Sequence, residues 1–398
     1  MSVKAICNGT VITETGEISD GMVIVQNGRI DYAGRAMGLE PGVEVIDAEG
    51  LYISPGFIDM HIHGGAGSDF MDATKADVET VMRFHAAHGT TALCPSTATA
   101  PLNEVIACLD ALDAYRKSGS YYGRALGAHI EGPFLNSTKS GCHLPQHLKL
   151  PSEAEWKPLL EHGPVATMTL APELPGARPL IEALKRQGTM ASVGHSEALF
   201  HEIAEAAEWG VRHATHLYCA MTDSMNNRWR GTRNPRAAGI VEAVYLMDGM
   251  SSELITDGIH LSKEMLQLAI RNKGYEQLAI ITDAMRGAGM PDGEYTFGPK
   301  HGMLAIVKNR EARIPDGTTL ASSVFAMNEM VKTFRELTGR PLWQVVRMAS
   351  LTPAEILGVQ DELGSLAKGK AADIILFDEE LEVRRTYVGG ELVRTRSA

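Results

Sequence analysis

The stretch Pro55-Gly56-Phe57-Ile58-Asp59-Met60-His61-Ile62-His63-Gly64-Gly65-Ala66-Gly67-Ser68-Asp69-Phe70-Met71-Asp72 decides the reading of the chain. Its first part, Phe57 to His63, is a short apolar run of the kind that forms a buried strand. Side chains alternate across a strand, so His61 and His63 share a face and two imidazoles can approach one ion. Gly64, Gly65 and Gly67 follow, ending the run in a loop whose backbone can pass close to a ligand. A strand carrying two core histidines would explain the same residues, and the choice between the two depends on what lies downstream.

Further apolar, strand-like runs occur at Thr91–Pro95, Leu126–Glu131, Val165–Ala171, Met190–His195, Val211–His216, Glu253–Asp257 and Leu278–Asp283. Helix-length segments with spaced apolar residues separate them, among them Ala76–His88, Leu102–Lys117, Glu197–Trp209 and Lys263–Arg271. Eight such alternations over roughly 300 residues suit a (β/α)8 TIM barrel. A doubly wound open sheet is the alternative, but no G-x-G-x-x-G follows the first strand. Gly298, Gly302 and Pro315-Asp316-Gly317 break the alternation, and residues 293–320 read as a β-hairpin insertion before a last helix that starts near Ser323. Outside the barrel, both ends of the chain are short alternating runs broken by turns such as Asn27-Gly28 and Gly389-Gly390. Neither end has enough strands to bury a core alone. Residues 1–54 and 359–398 are therefore expected to join in a small β-sandwich domain, bracketing a catalytic barrel of residues 55–358.

The polar groups at the strand ends are, in chain order, His61, His63, Glu131, Glu173, His195, His216, Asp257 and Asp283. In this fold the active site lies at the C-terminal ends of the strands, where the loops converge. Imidazole and carboxylate are ligands that zinc, iron or manganese accept, so a divalent metal site is expected, with zinc the first choice. The other histidines do not fit this pattern. His85, His88 and His201 lie in helical segments, His162 follows one, and His213 falls on the opposite strand face from His216, so surface or supporting roles are expected for them.

Composition bounds the partners. The chain has 398 residues, 44% of them hydrophobic, and a formal net charge of -12, which argues against nucleic acid or an anionic membrane surface as the main partner. Five cysteines without a C-x-x-C pair fit reduced thiols, and no apolar run approaches the roughly 20 residues of a membrane helix. With no signal-like start, the expectation is a cytoplasmic protein.

Several stretches together resemble the N-acetylglucosamine-6-phosphate deacetylases of the amidohydrolase superfamily. They are Pro55 to His63, His129-Ile130-Glu131-Gly132-Pro133-Phe134-Leu135, Gly194-His195-Ser196, Thr215-His216-Leu217-Tyr218, Asp257-Gly258-Ile259-His260 and Ile281-Thr282-Asp283-Ala284-Met285. The resemblance covers essentially the whole chain, in order. It implies that Glu131, His195 and His216 hold a principal metal ion, and that His61 and His63, bridged by Glu131, can hold a second. It implies Asp283 as the catalytic aspartate, and His143, Cys219, Ala220, His260 and the Ala321-Ser322-Ser323 segment as substrate contacts. Arg233 aligns with the family's phosphate-binding arginine, near a dimer interface, so a homodimer is implied as well. The chain departs from the family pattern in four places: Arg233-Asn234-Pro235-Arg236 replaces Arg-Glu-Pro-Gly, the loop after His216 is longer, Cys219 stands where asparagine is usual, and Leu320-Ala321-Ser322-Ser323 replaces Leu-Ala-Gly-Ser. These changes touch the pocket for the sugar and leave the metal ligands intact.

The implied substrate is a phosphorylated N-acetyl amino sugar, with the glucosamine form ahead of the galactosamine form. Four arginines between Asn226 and Arg236 suit its phosphate, since guanidinium forks match phosphate oxygens, although a solvated surface loop would also account for them. Hydrolysis of another amide, and a non-catalytic sugar-phosphate-binding protein, are the remaining alternatives.

Overall fold

Strand Phe57–Ile62 (β1) opens a closed ring of parallel strands that continues through Thr90–Pro95 (β2), Ala128–Glu131 (β3), Val165–Leu170 (β4), Met190–Val193 (β5), Val211–Ala214 (β6), Ser251–Ile255 (β7) and Leu278–Ile281 (β8). The computed structural model describes residues 3–119, 122–224 and 236–395. β1 pairs with β2, and β3 to β8 pair in sequence, all parallel. The bridge Ser96–His129 joins β2 to β3, and the amide of Asp283 donates to the His61 carbonyl at 2.9 Å, closing β8 onto β1. Every residue of β1, β2, β3 and β8 is buried, as expected where helices cover one side of the ring and packed side chains fill the other.

The helices follow from spacing and caps. Lys75–Ala86 begins where the Thr74 hydroxyl accepts the Asp77 amide, and it buries Val78, Val81 and Met82 at three- and four-residue intervals. Leu102–Lys117 does the same with Val105, Cys108, Leu109 and Leu112. Helix Met327–Thr338 starts later than the sequence suggests. Ser323 is held instead in a bridge to Ala284, with its amide on the Asp283 carbonyl and its hydroxyl on the Thr282 carbonyl at 2.5 Å, so it cannot start a helix.

The two ends of the chain meet. Strands Tyr52–Pro55 and Ile374–Phe377 pair antiparallel, in the centre of an eight-stranded sheet that carries Val3–Thr13, Gly16–Gln26, Arg29–Arg35 and Glu44–Asp47 on one side and Val383–Val388 and Glu391–Thr395 on the other. Asn27 and Gly28 turn the Gly16–Gln26/Arg29–Arg35 hairpin with both φ positive, the left-handed pair such a two-residue turn requires. Ile6, Val11, Val23, Val25, Ile53 and Leu376 form the core of this sheet. Tyr52–Pro55 runs directly into β1, which fixes the start of the histidine strand. After β8, strands Gly293–Phe297, Met303–Lys308 and Glu311–Arg313 form an antiparallel unit near the barrel mouth.

Candidate metal centre and active site

At the C-terminal end of the ring, two groups of buried side chains come within ligand distance: His61, His63 and Asp283 in one, Glu131, His195 and His216 in the other. The Nε2 atoms of His61 and His63 lie 3.2 Å apart, and those of His195 and His216 lie 3.1 Å apart. Two nitrogens bound to one ion at about 2.0–2.1 Å in a tetrahedral arrangement would be about 3.3 Å apart. Glu131 stands between the groups. Its Oε1 is 3.3 and 3.4 Å from Nε2 of His195 and His216, and its Oε2 is 3.5 and 3.2 Å from Nε2 of His61 and His63. Asp283 Oδ1 lies 3.5 Å from His61 Nε2 and 3.3 Å from His63 Nε2.

The far ring nitrogens indicate which lone pairs face the cavity. His195 Nδ1 donates to the Lys139 carbonyl at 2.7 Å, and His61 Nδ1 meets the Glu253 carboxylate at 2.7 Å. With the hydrogen on Nδ1 in each, Nε2 presents a lone pair. Glu131 Oε1 is buried without a hydrogen-bond partner among the described residues, although two imidazole nitrogens face it. Lone pairs converging on lone pairs in a buried space call for positive charge, so the donor set fits divalent cations.

His143 is different. The Thr99 amide donates to its Nδ1 at 3.3 Å, so Nε2 carries the hydrogen and points at Glu131 Oε2, 3.1 Å away. It therefore offers the cavity a donor where His61 and His195 offer acceptors.

The electrostatics follow from burial and neighbours. Burial alone would raise the Asp283 carboxyl, but the imidazoles of His61 and His63 hold it below the usual carboxylate range, so it is ionised at neutral pH. Burial works against a charged His63, yet Asp283 and Glu131 raise it to about 9. Burial dominates at His195, which falls to about 4 despite Glu131. Burial also pushes the Cys219 thiol up to about 12, leaving it a neutral wall residue and a poor nucleophile.

His195, His216 and Asp283 have φ of 48°, 29° and 47°, and Ser322 has 65°. Left-handed backbone at non-glycine residues costs about 1–2 kcal/mol each. Its presence where three strands run out is a mark of a functional site.

A cavity of about 370 Å³ opens above the clusters. Among the residues expected to contact substrate, His143, Cys219, Ala220, His260 and Ser322 line it. Ser322 Oγ donates to Asp283 Oδ1 at 2.9 Å. Ala321 and Ser323 flank Ser322 and are themselves tied into backbone bonds with Ala312 and Asp283. Arg233, with most of the arginine-rich loop, lies outside the described residues.

Two strand-end carboxylates do not join the clusters. Glu173 accepts from Ser196 Oγ, the Glu197 amide and Asn136, and so braces the loop after β5. Asp257 caps the amides of Ile259 and His260 and holds His260 Nδ1 at 2.7 Å, orienting that ring. Both are engaged instead by backbone amides and neighbouring side chains of the loops that follow their strands.

Three buried residues were not singled out from the sequence. Glu253 supports His61, and Asp59 accepts from Thr282 Oγ1 at 2.5 Å and from the amides of Thr282 and His61. His129 bridges Ser96 and Thr169. Parity would have found the first two: Glu253 shares a face with Ile255 and Asp257, and Asp59 shares one with His61 and His63. His213, expected on the strand face away from His216, instead faces the barrel interior, buried and bonded to Glu253 at 3.2 Å, because His216 lies past the end of β6 and no longer follows its alternation.

A profile of the amidohydrolase family matches residues 52–393. The N-acetylglucosamine-6-phosphate deacetylase of Lysinibacillus sphaericus is 32% identical over 397 residues, covering 97% of each chain. That of Bacillus subtilis (strain 168) is 33% identical over 390 residues, covering 96% of this chain and 95% of its own. Among solved structures, the N-acetylglucosamine-6-phosphate deacetylase of Pasteurella multocida superposes with a TM-score of 0.90 at 28% identity, covering 99% of this chain and 100% of that one. A mutant of the Mycobacterium smegmatis enzyme, in complex with N-acetyl-D-glucosamine-6-phosphate, superposes with a TM-score of 0.90 at 30% identity and the same coverage.

Proposed function

The chain belongs to the amidohydrolase family and, within it, to the N-acetylglucosamine-6-phosphate deacetylases, and on that premise we propose that it hydrolyses the acetamide of N-acetyl-D-glucosamine 6-phosphate to acetate and the amino sugar phosphate. The observation that carries this reading is Glu131, which turns one oxygen to each histidine pair while Asp283 faces the same space.

Glu131, His195 and His216 would hold a principal divalent cation and His61 and His63, with Glu131 shared, a second; zinc is the first choice, iron or manganese the alternatives. When bound, such a cation supplies Lewis-acid chemistry, lowering the pKa of water from about 15.7 towards about 7 and polarising a carbonyl. The chain's own residues do the rest. Asp283, ionised and held by Ser322 Oγ, takes a proton from the attacking water and delivers it to the amide nitrogen as the carbon–nitrogen bond breaks, so that a neutral amine leaves. His143 Nε2–H donates to the acetyl oxygen as negative charge develops there. His260, fixed by Asp257, together with Cys219, Ala220 and Ser322, forms the wall around the sugar, and Arg233 anchors its phosphate from its own or a partner subunit. Ala321 and Ser323 hold that wall in position.

In this reading residues 1–54 and 359–398 form a small β-sandwich domain, 55–358 the catalytic barrel, and 293–320 an insertion that helps to enclose the substrate. The protein is a homodimer of the cytoplasm. Five unpaired cysteines support a reducing compartment, and among the described residues no helix is long and apolar enough to cross a membrane.

The test is acetate release, on metal-quantified protein, from gluco and galacto N-acetyl sugars with and without the 6-phosphate. The phosphorylated gluco sugar should be the fastest. Equal rates without the phosphate would remove the anchoring argument, a faster galacto substrate would change the epimer, and no release from any sugar would return the chain to a binding role.

A further inference from the structure

Glu253 sits within β7, about 2% exposed, on the barrel-facing side. Its carboxylate meets three groups from two other strands or their ends. Oε1 accepts from His61 Nδ1 at 2.7 Å and from the backbone amide of His216 at 3.2 Å. Oε2 lies 3.2 Å from His213 Nε2, and His213 Nδ1 is tied in turn to Ser251 Oγ at 2.8 Å. The Glu253 backbone carbonyl accepts the Leu217 amide at 2.9 Å. A carboxylate is an acceptor only, so the hydrogen on His61 is fixed at Nδ1 and the Nε2 lone pair is fixed toward Glu131 and Asp283. His63 has no such support: its Nδ1 is buried without a partner among the described residues. Of the pair on β1, only His61 has its ring held from behind.

We propose that Glu253 is a positioning residue that commits His61 to a cation and thereby controls occupancy of the His61–His63–Asp283 cluster. The proposal rests on that cluster being a second ion site. Without the carboxylate, His61 can carry its hydrogen on either nitrogen or turn its ring, and its Nε2 lone pair is no longer held toward the cluster. The group on Glu131, His195 and His216 depends less on Glu253, because His195 is held by the Lys139 carbonyl and only the His216 backbone amide touches Glu253. Supporting partners of this kind change metal affinity about 10- to 100-fold when removed.

Glu253→Gln keeps the shape and removes the charge. Equilibrium dialysis of the full chain against buffered zinc, with elemental analysis, should show the second equivalent binding about 10- to 100-fold more weakly than in wild type, while the first changes by less. Cobalt(II) substitution should show the same selective loss in the visible absorption spectrum, a readout that mere packing would not move, since glutamine fills the same space. If the glutamine variant does not fold, Glu253→Asp, which keeps the charge but withdraws it by a methylene, is judged by the same criterion. A second equivalent bound as tightly as in wild type overturns the proposal. A wild-type protein that binds a single equivalent instead overturns the two-ion reading beneath it, so the two failures are distinguishable.

Discussion

Asp283 is the residue at which position, charge and backbone conformation coincide. It ends β8 in a left-handed conformation, faces His61 and His63, and is kept ionised by them against the pull of burial. Asp283→Asn preserves size and leaves an acceptor for Ser322, so the fold and the ion held by Glu131, His195 and His216 should be retained while acetate release falls about 10²- to 10⁴-fold, the usual range for a lost proton acceptor. Turnover near wild type would exclude it from that role. His85 makes a different kind of claim, about stability. It is buried, bonded through Nε2 to the Gly64 carbonyl at 3.0 Å, and burial pushes its pKa from about 6.5 down to about 3. Below pH 6.5 the unfolded chain takes up a proton that the folded chain refuses, so stability is lost as pH falls, by about 1.4 kcal/mol per pH unit from this group. Urea unfolding at pH 7.5 and 5.5 should show that loss in wild type, and it should shrink by about that amount in His85→Gln; an equal loss in both would refute the assignment. Sequence alone reaches the ligands because His-x-His on a strand and an acid or imidazole at successive strand ends are patterns of parity. It does not reach His85, because a histidine in an amphipathic helix reads as a surface residue until packing is known.

Between elements, the loop after β1, the turn after β8 and the start of the three-stranded unit are pinned by one guanidinium. Arg286 is 7% exposed; it pairs with Asp72 at 3.0 and 3.2 Å and donates to the carbonyls of Thr296, Gly298 and Gly67. Arg286→Met would leave the Asp72 carboxylate buried and unpaired, a change that typically costs about 3–5 kcal/mol. The guanidinium denaturation midpoint should fall accordingly, and a loss below about 1 kcal/mol, the range of an exposed pair, would show that the site relaxes into water. The barrel strands and the terminal hairpins were legible because buried parallel strands read as short apolar runs and Asn-Gly marks a turn. Arg286 was not, since nothing in Met285-Arg286-Gly287 distinguishes a buried clamp from a surface cation. The late start of Met327–Thr338 was hidden for a related reason: Ser323 looks like a helix cap, but its hydroxyl is already engaged by Thr282. Local propensity yields to a tertiary bond.

Across the whole molecule, the two clusters draw their ligands from β1, β3 and the ends of β5, β6 and β8, so bound cations would tie together segments from residue 61 to residue 283. Binding to the folded state alone adds RT ln(1 + [L]/Kd), about 2.7 kcal/mol at a hundredfold excess over Kd. In a chelated protein the carboxylates of Glu131 and Asp283 and the facing imidazoles lose that cross-link, while the terminal sheet, with its own core of Ile6, Val23, Ile53 and Leu376, contains none of the ligands. Thermal unfolding in the presence of a chelator should therefore begin at a lower temperature than in the presence of zinc, with readdition of zinc restoring the midpoint. His195→Ala removes a ligand from the group nearest the cavity wall, so it should lower the metal content found by elemental analysis and shrink the zinc-dependent part of the midpoint shift. If chelation leaves the midpoint of the wild-type chain unchanged, or if His195→Ala responds to zinc as wild type does, the convergence of these distant side chains is not held by cations and the site has to be read as a network of protonated histidines.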